Sequence, residues 1–136
     1  MKIVLATCLL MVSSLGYSAQ ESSVNQQAAN QVSTQQLKTW YEQNIPMTIV
    51  DARSQENFDG KMLPRAFRLP SNASNEAIGA ALPSKGALII VYCCGAECPA
   101  SCQLTEKLHK MGYTQVYEYH AGIQEWIRQG YPIDQQ

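Results

Sequence analysis

The run Ala87-Leu88-Ile89-Ile90-Val91-Tyr92 constrains this chain more than any other stretch. It is apolar and rich in β-branched residues, with no polar alternation. That is the pattern of a strand buried on both faces, and such strands lie inside parallel sheets. A cysteine-rich segment follows at once, Cys93-Cys94-Gly95-Ala96-Glu97-Cys98-Pro99-Ala100-Ser101-Cys102. Leu104, Leu108 and Met111 then recur at helical spacing until Gly112 stops the run. Pro99 suits a first helical turn, where a missing N–H costs nothing. The order is strand, tight loop, helix, with Cys93 at the carboxyl end of the strand.

That position has chemical consequences. In open α/β sheets, ligands bind beyond the carboxyl ends of the strands. Loop amides can converge there into an anion-binding nest, and the next helix points its positive end at the same place. A thiol so placed is expected to ionise readily. Cys93 is therefore the candidate nucleophile, and Cys94, Gly95, Ala96, Glu97 and Cys98 are the candidate active-site loop. A buried cysteine that merely ends a strand is the competing reading. The glycine in the loop and the helix start behind it favour catalysis.

The rest of the chain supports a single α/β domain. Its 136 residues are 46% hydrophobic, enough for one real core. A net charge of −1 gives no reason to expect nucleic acid or an anionic membrane as partner. Residues 1–19 read as a signal peptide: Lys2, an apolar core from Ile3 to Val12 too short to span a bilayer, then small residues. Cleavage is expected after Ala19, with Ser18 as the alternative, and the destination is the bacterial periplasm or the medium. No stable membrane insertion is expected after cleavage. Residues 20–31, rich in Gln, Asn, Ser and Ala, read as a flexible tether, and residues 32–136 as the domain.

Within the domain, Ser33 and Gln36 form a capping-box pattern ahead of a helix bearing Leu37, Trp40 and Tyr41. Met47 to Asp51 is a second buried strand, ending in Asp51-Ala52-Arg53 on the same sheet edge as Cys93. Asp51 and Arg53 are read as a pair that braces the loops there. Further helices are expected over Asn72–Leu82 and Gly122–Gln129, and a strand over Gln115–Tyr119. Strands alternating with helices at short spacing imply a parallel sheet covered on both faces.

The cysteines leave two further readings open. Four of the five cluster within ten positions, unlike a dispersed disulfide scaffold. Cys98 lies five residues beyond Cys93 and can serve as a resolving thiol, which would make the chain a thiol–disulfide redox protein. Cys94, Cys98 and Cys102 stand four apart, without the paired Cys-x₂-Cys elements of a metal site, so neither metal nor cofactor is expected. The loop also lacks the arginine with which a phosphatase grips phosphate.

Taken together, these residues resemble the single-domain rhodanese-like proteins. The matching pieces are Ile49-Val50-Asp51-Ala52-Arg53, Phe58-Asp59-Gly60 with Leu63-Pro64-Arg65-Ala66, Val91-Tyr92-Cys93, Lys110-Met111-Gly112-Tyr113, Ala121-Gly122-Ile123-Gln124-Glu125-Trp126 and Gly130-Tyr131-Pro132. They occur in the family's order over roughly residues 32–133. The resemblance implies a three-layer α/β domain with a five-stranded parallel sheet and helices on both faces. It also implies a sulfurtransferase in which Cys93 carries a persulfide. The partners would be a small sulfur donor, thiosulfate or a thiol persulfide, and a thiol, cyanide or protein acceptor.

Three departures stand out. The loop carries Glu97 and no Arg or Lys, which disfavours a dianionic donor. Lys61 replaces the usual His after Gly60, and Arg65 replaces a Gly. The loop instead reads Cys-x-Gly-x-x-Cys-Pro-x-Ser, a pattern expected of an exported bacterial subgroup. Arg65 or Arg68 could restore positive charge at the mouth. A non-catalytic binding module on the same fold is the remaining alternative, and the intact Cys93 argues against it.

Overall fold

A computed structural model describes residues 30–136. The predicted signal peptide and nearly all of the predicted tether lie outside the described residues. The elements run α1 (Thr34–Glu42), β1 (Thr48–Asp51), a 3₁₀ turn (Gln55–Asn57), β2 (Lys61–Met62), β3 (Phe67–Arg68), α2 (Asn75–Ala81), β4 (Leu88–Tyr92), α3 (Ala100–Lys110), β5 (Gln115–Tyr119), α4 (Gly122–Arg128) and β6 (Asp134–Gln135). Among the described residues no helix is long and apolar enough to cross a membrane.

Among the described residues the main sheet has four parallel strands in the order β3-β1-β4-β5, one fewer than the five expected. At the place of a fifth strand, Gln31 makes a single parallel bridge to Glu118. The Val32 amide donates to the Glu118 carbonyl at 2.9 Å, and the Glu118 amide to Asn30 at 2.8 Å. The chain turns into α1 directly afterwards. A separate antiparallel pair, β2 with β6, clips the carboxyl terminus to residues 61–62.

Each strand feeds two cores, because alternate residues face opposite sides of a sheet. On one side Ile89 and Val91 pack with Ile78 and Leu82 of the α2 segment and with Leu104 and Leu108 of α3. On the other, Ile90 and Tyr92 pack with Leu37 of α1 and with Ile123 and Trp126 of α4. The result is the expected α/β/α arrangement. Ser33 accepts the Gln36 amide, and Ser74 accepts the Ala77 amide, so both helices start on a serine cap. Gly112 stops α3 with φ +90°, which costs glycine little.

Strand order reverses between β1 and β4: from β1 the chain moves to β3 on one side, and from β4 to β5 on the other. Their carboxyl ends, Asp51 and Tyr92, are paired neighbours. Cys93 thus emerges where doubly wound sheets bind ligands.

Candidate active site

Cys93 follows the last residue of β4 and opens a loop that returns on itself. The Cys98 amide donates to the Gly95 carbonyl at 3.1 Å, closing a four-residue turn. That turn brings Cys98 over Cys93, and the two are joined in a disulfide with Cα atoms 6.3 Å apart, a normal span. Cys93 is 1% exposed, so in this form it is sealed beneath its partner and is not the free thiolate expected. Cys94 keeps its thiol, and the sulfurs of Cys93, Cys94 and Cys98 all lie within 4.8 Å of one another. Cys102 is outside this group. Its thiol contacts Glu106 on the next turn of α3, and burial, with the charges of Glu118 and Glu106, pushes its pKa up.

The loop is held from the far side by α4. The Ile123 amide donates to the Cys93 carbonyl at 3.0 Å, and the Gln124 amide to the Cys94 carbonyl at 2.9 Å. These are orphan donors of a helix start, satisfied by the backbone of the cysteine loop. Gly122 makes the approach possible. It has φ +72°, and a Cβ on it would lie 2.6 Å from the Cys94 carbonyl carbon and from the Gly95 backbone. Gly122 is expected from the sequence only as the start of a helix, and its role as the seat of the loop is not read there. A glycine at a predicted helix start, where serine or aspartate is usual, was the signal.

Asp51 and Arg53 form a buried ion pair on the same sheet edge as Cys93. Both are buried, at 0% and 2% exposure. The Arg53 guanidinium donates to both Asp51 oxygens, to Asp59 at 3.0 Å and to the Lys61 carbonyl. The Tyr92 hydroxyl donates to Asp51 at 3.0 Å and accepts the Leu63 amide at 3.1 Å. One buried carboxylate thereby ties β1, β4 and the 59–63 segment together. Burial disfavours the Arg53 cation, yet the hydrogen bonds and charge of Asp51, with Asp59, hold its pKa above the ordinary value. Burial, then the Asp51 charge, pushes the Tyr92 hydroxyl well up.

Above the disulfide lies an open depression of about 310 Å³, walled by Cys94, Ala96, Glu97, Cys98, Asn57 and Gln124 among others. Its walls include no basic side chain. Arg68 stacks on Phe58 at 4.2 Å and bonds Gln55 at 2.6 Å, while Arg65 lies over Tyr41 at 5.4 Å. Neither Arg65 nor Arg68, the two residues that could have restored positive charge at the mouth, lines the depression. A second hollow, about 580 Å³, lies beside it and shares Ala96. It reaches His120, which contacts the buried Glu118 at 3.2 Å; Glu118 in turn accepts the Ser101 hydroxyl at 2.8 Å. Sequence reading did not single out Glu118, because a lone acid in a strand carries no pattern.

This geometry can be set beside known proteins. The family model described as a rhodanese-like domain matches residues 33–129. The BH2092 protein of Bacillus halodurans is 24% identical with a TM-score of 0.72, the match covering 82% of this chain and 80% of that one. A rhodanese with anions from E. coli is 28% identical with a TM-score of 0.54, covering 66% of this chain and 99% of that one. A thiosulfate sulfurtransferase from Pseudomonas aeruginosa shares the fold at 15% identity and a TM-score of 0.64, covering 79% of this chain and 21% of that one. Comparison with the curated proteins finds no match. The chain belongs to the rhodanese-like domain family.

Proposed function

We propose that the protein is a sulfurtransferase that moves sulfane sulfur through a persulfide on Cys93. The observation that carries this reading is the placement of Cys93 at the carboxyl end of β4, opening a loop anchored on α4, in a rhodanese-like domain. In the reduced protein the Cys93 thiolate attacks the outer sulfur of a donor and takes it, releasing the donor's remainder. A thiophilic acceptor then collects the sulfur, which makes the cycle ping-pong. Thiosulfate and thiol persulfides are the donor classes. Glu97 and the absence of a basic wall favour the less charged persulfide. Export to an oxidising compartment accords with the disulfide.

The test is steady-state turnover by pre-reduced protein with cyanide as acceptor and each donor in turn. Parallel double-reciprocal lines are expected, with activity lost in Cys93→Ser. A rate that survives Cys93→Ser would overturn the reading. The Cys93–Cys98 disulfide favours a second one, thiol–disulfide exchange with an external dithiol partner.

A further inference from the structure

We propose that Cys98 is an internal resolving thiol: it displaces hydrosulfide from the Cys93 persulfide, so that the domain reduces sulfane sulfur to sulfide and ends as the Cys93–Cys98 disulfide. The proposal rests on the reading that Cys93 accepts the sulfur, and it names where that sulfur goes next.

Three observations converge. First, the loop turn brings the Cys98 sulfur to Cys93 Sγ, to which it is bonded here. In a persulfide, Cys93 Sγ is the inner sulfur. Attack there forms this same disulfide and expels the outer sulfur, whereas attack on the outer sulfur would only pass it along. Second, Cys93 is 1% exposed and lies under Cys98. With the loop in this fold the Cys98 sulfur is already beside Cys93 Sγ, and the open depression of about 310 Å³ that Cys98 lines gives a departing hydrosulfide a way to solvent. Third, the walls of that depression carry Glu97 and no basic side chain to retain an anion. Hydrosulfide is a weaker base than an alkyl thiolate, and the weaker base leaves faster in thiol–disulfide exchange.

The steps balance. Cys93 thiolate attacks the terminal sulfur of a thiol persulfide; the donor's S–S bond breaks and the donor leaves as its thiol. Cys98 then gives its proton to solvent, its sulfur bonds Cys93 Sγ, and the Sγ–SH bond breaks with its electron pair on hydrosulfide. Two cysteine thiols are oxidised by two electrons, and the sulfane sulfur is reduced by two. An external dithiol resets the disulfide.

The experiment is a single turnover. Pre-reduced protein, freed of reductant, is mixed with one equivalent of cysteine persulfide; sulfide, Cys93 persulfide and disulfide are then quantified. The intact protein should release close to one equivalent of sulfide and form the Cys93–Cys98 disulfide. Cys98→Ser should hold the persulfide on Cys93 and release sulfide more than about tenfold more slowly, having lost its intramolecular nucleophile. Cys102→Ser, whose thiol lies outside the group of Cys93, Cys94 and Cys98 and contacts Glu106 on α3, should behave as the intact protein. Equal sulfide release by Cys98→Ser, or a persulfide that persists in the intact protein without disulfide, overturns the proposal. If Cys98→Ser takes no sulfur onto Cys93 at all, the sulfurtransferase reading itself falls, and the proposal with it.

Discussion

A Cβ placed on Gly122 would lie 2.6 Å from the carbonyl carbon of Cys94. The first turn of α4 and the Cys93–Cys98 loop therefore touch backbone to backbone, and only glycine permits it.

Replacing Gly122 tests this contact. Gly122→Ala should cost about 1–2 kcal/mol for a side chain in the left-handed region, and about 1–3 kcal/mol more for crowding. The loop backbone must shift, so sulfur transfer should fall further than stability alone accounts for. Gly79 is the control: it lies within α2 with open space around it. Gly79→Ala should be neutral or stabilising by about 0.5–1 kcal/mol. Denaturant midpoints and turnover rates for the two variants check both statements.

The Asp51–Arg53 brace gives a second prediction. Arg53→Ala leaves a buried carboxylate without its cation, an effect of about 3–5 kcal/mol. The double replacement Asp51→Asn with Arg53→Met should be less damaging than Arg53→Ala alone. Urea unfolding distinguishes the two, and a double variant as unstable as the single one contradicts the brace.

Alkaline pH gives a third. Burial raises the folded-state pKa of Tyr92, Tyr41 and Tyr119 above the ordinary value of 10.0. A group whose pKa is higher folded than unfolded stabilises fully below the unfolded value and loses that contribution as pH rises through the folded one. Stability should therefore decline above about pH 10, where unfolded tyrosines ionise first. Tyr92→Phe should flatten the decline while lowering stability at neutral pH by about 1–3 kcal/mol, because Asp51 and the Leu63 amide lose a buried partner. Urea midpoints between pH 8 and 11 provide the check.

Thiol reactivity gives a fourth. Without reductant, iodoacetamide should label Cys94 and Cys102 within residues 30–136 and spare Cys93 and Cys98. Cys102 should react slowly at neutral pH, because burial and then Glu118 hold its thiol protonated. Glu118→Gln should move the Cys102 pH–rate profile downward. After reduction, Cys93 and Cys98 should join the labelled set in peptide maps.

The sequence revealed most where local pattern and tertiary role coincide. β4 was legible because Leu88 to Tyr92 is apolar on both faces, and both faces are in fact buried. α3 was legible from Leu104 and Leu108 and the stop at Gly112. The β2–β6 pair was not, because Lys61–Met62 and Asp134–Gln135 have no strand pattern and are held by distant partners, among them the Arg65 amide on Asp134 at 2.8 Å. The fifth strand is implied by the resemblance, and among the described residues its place holds a single bridge at Gln31. The sulfur pairing stayed open because spacing alone allows Cys98 either to cap a helix or to return to Cys93; the turn onto Gly95 decides it. Arg68 looked like a mouth residue because its charge is visible in sequence and its stacking on Phe58 is not.

The most direct measurement is the mass of the Cys93 peptide from pre-reduced Cys98→Ser protein, treated with a thiol persulfide and then alkylated. One added sulfur atom on Cys93, absent when Cys93→Ser is introduced as well, is the predicted result. An unmodified Cys93 under conditions where the donor is consumed would contradict the account.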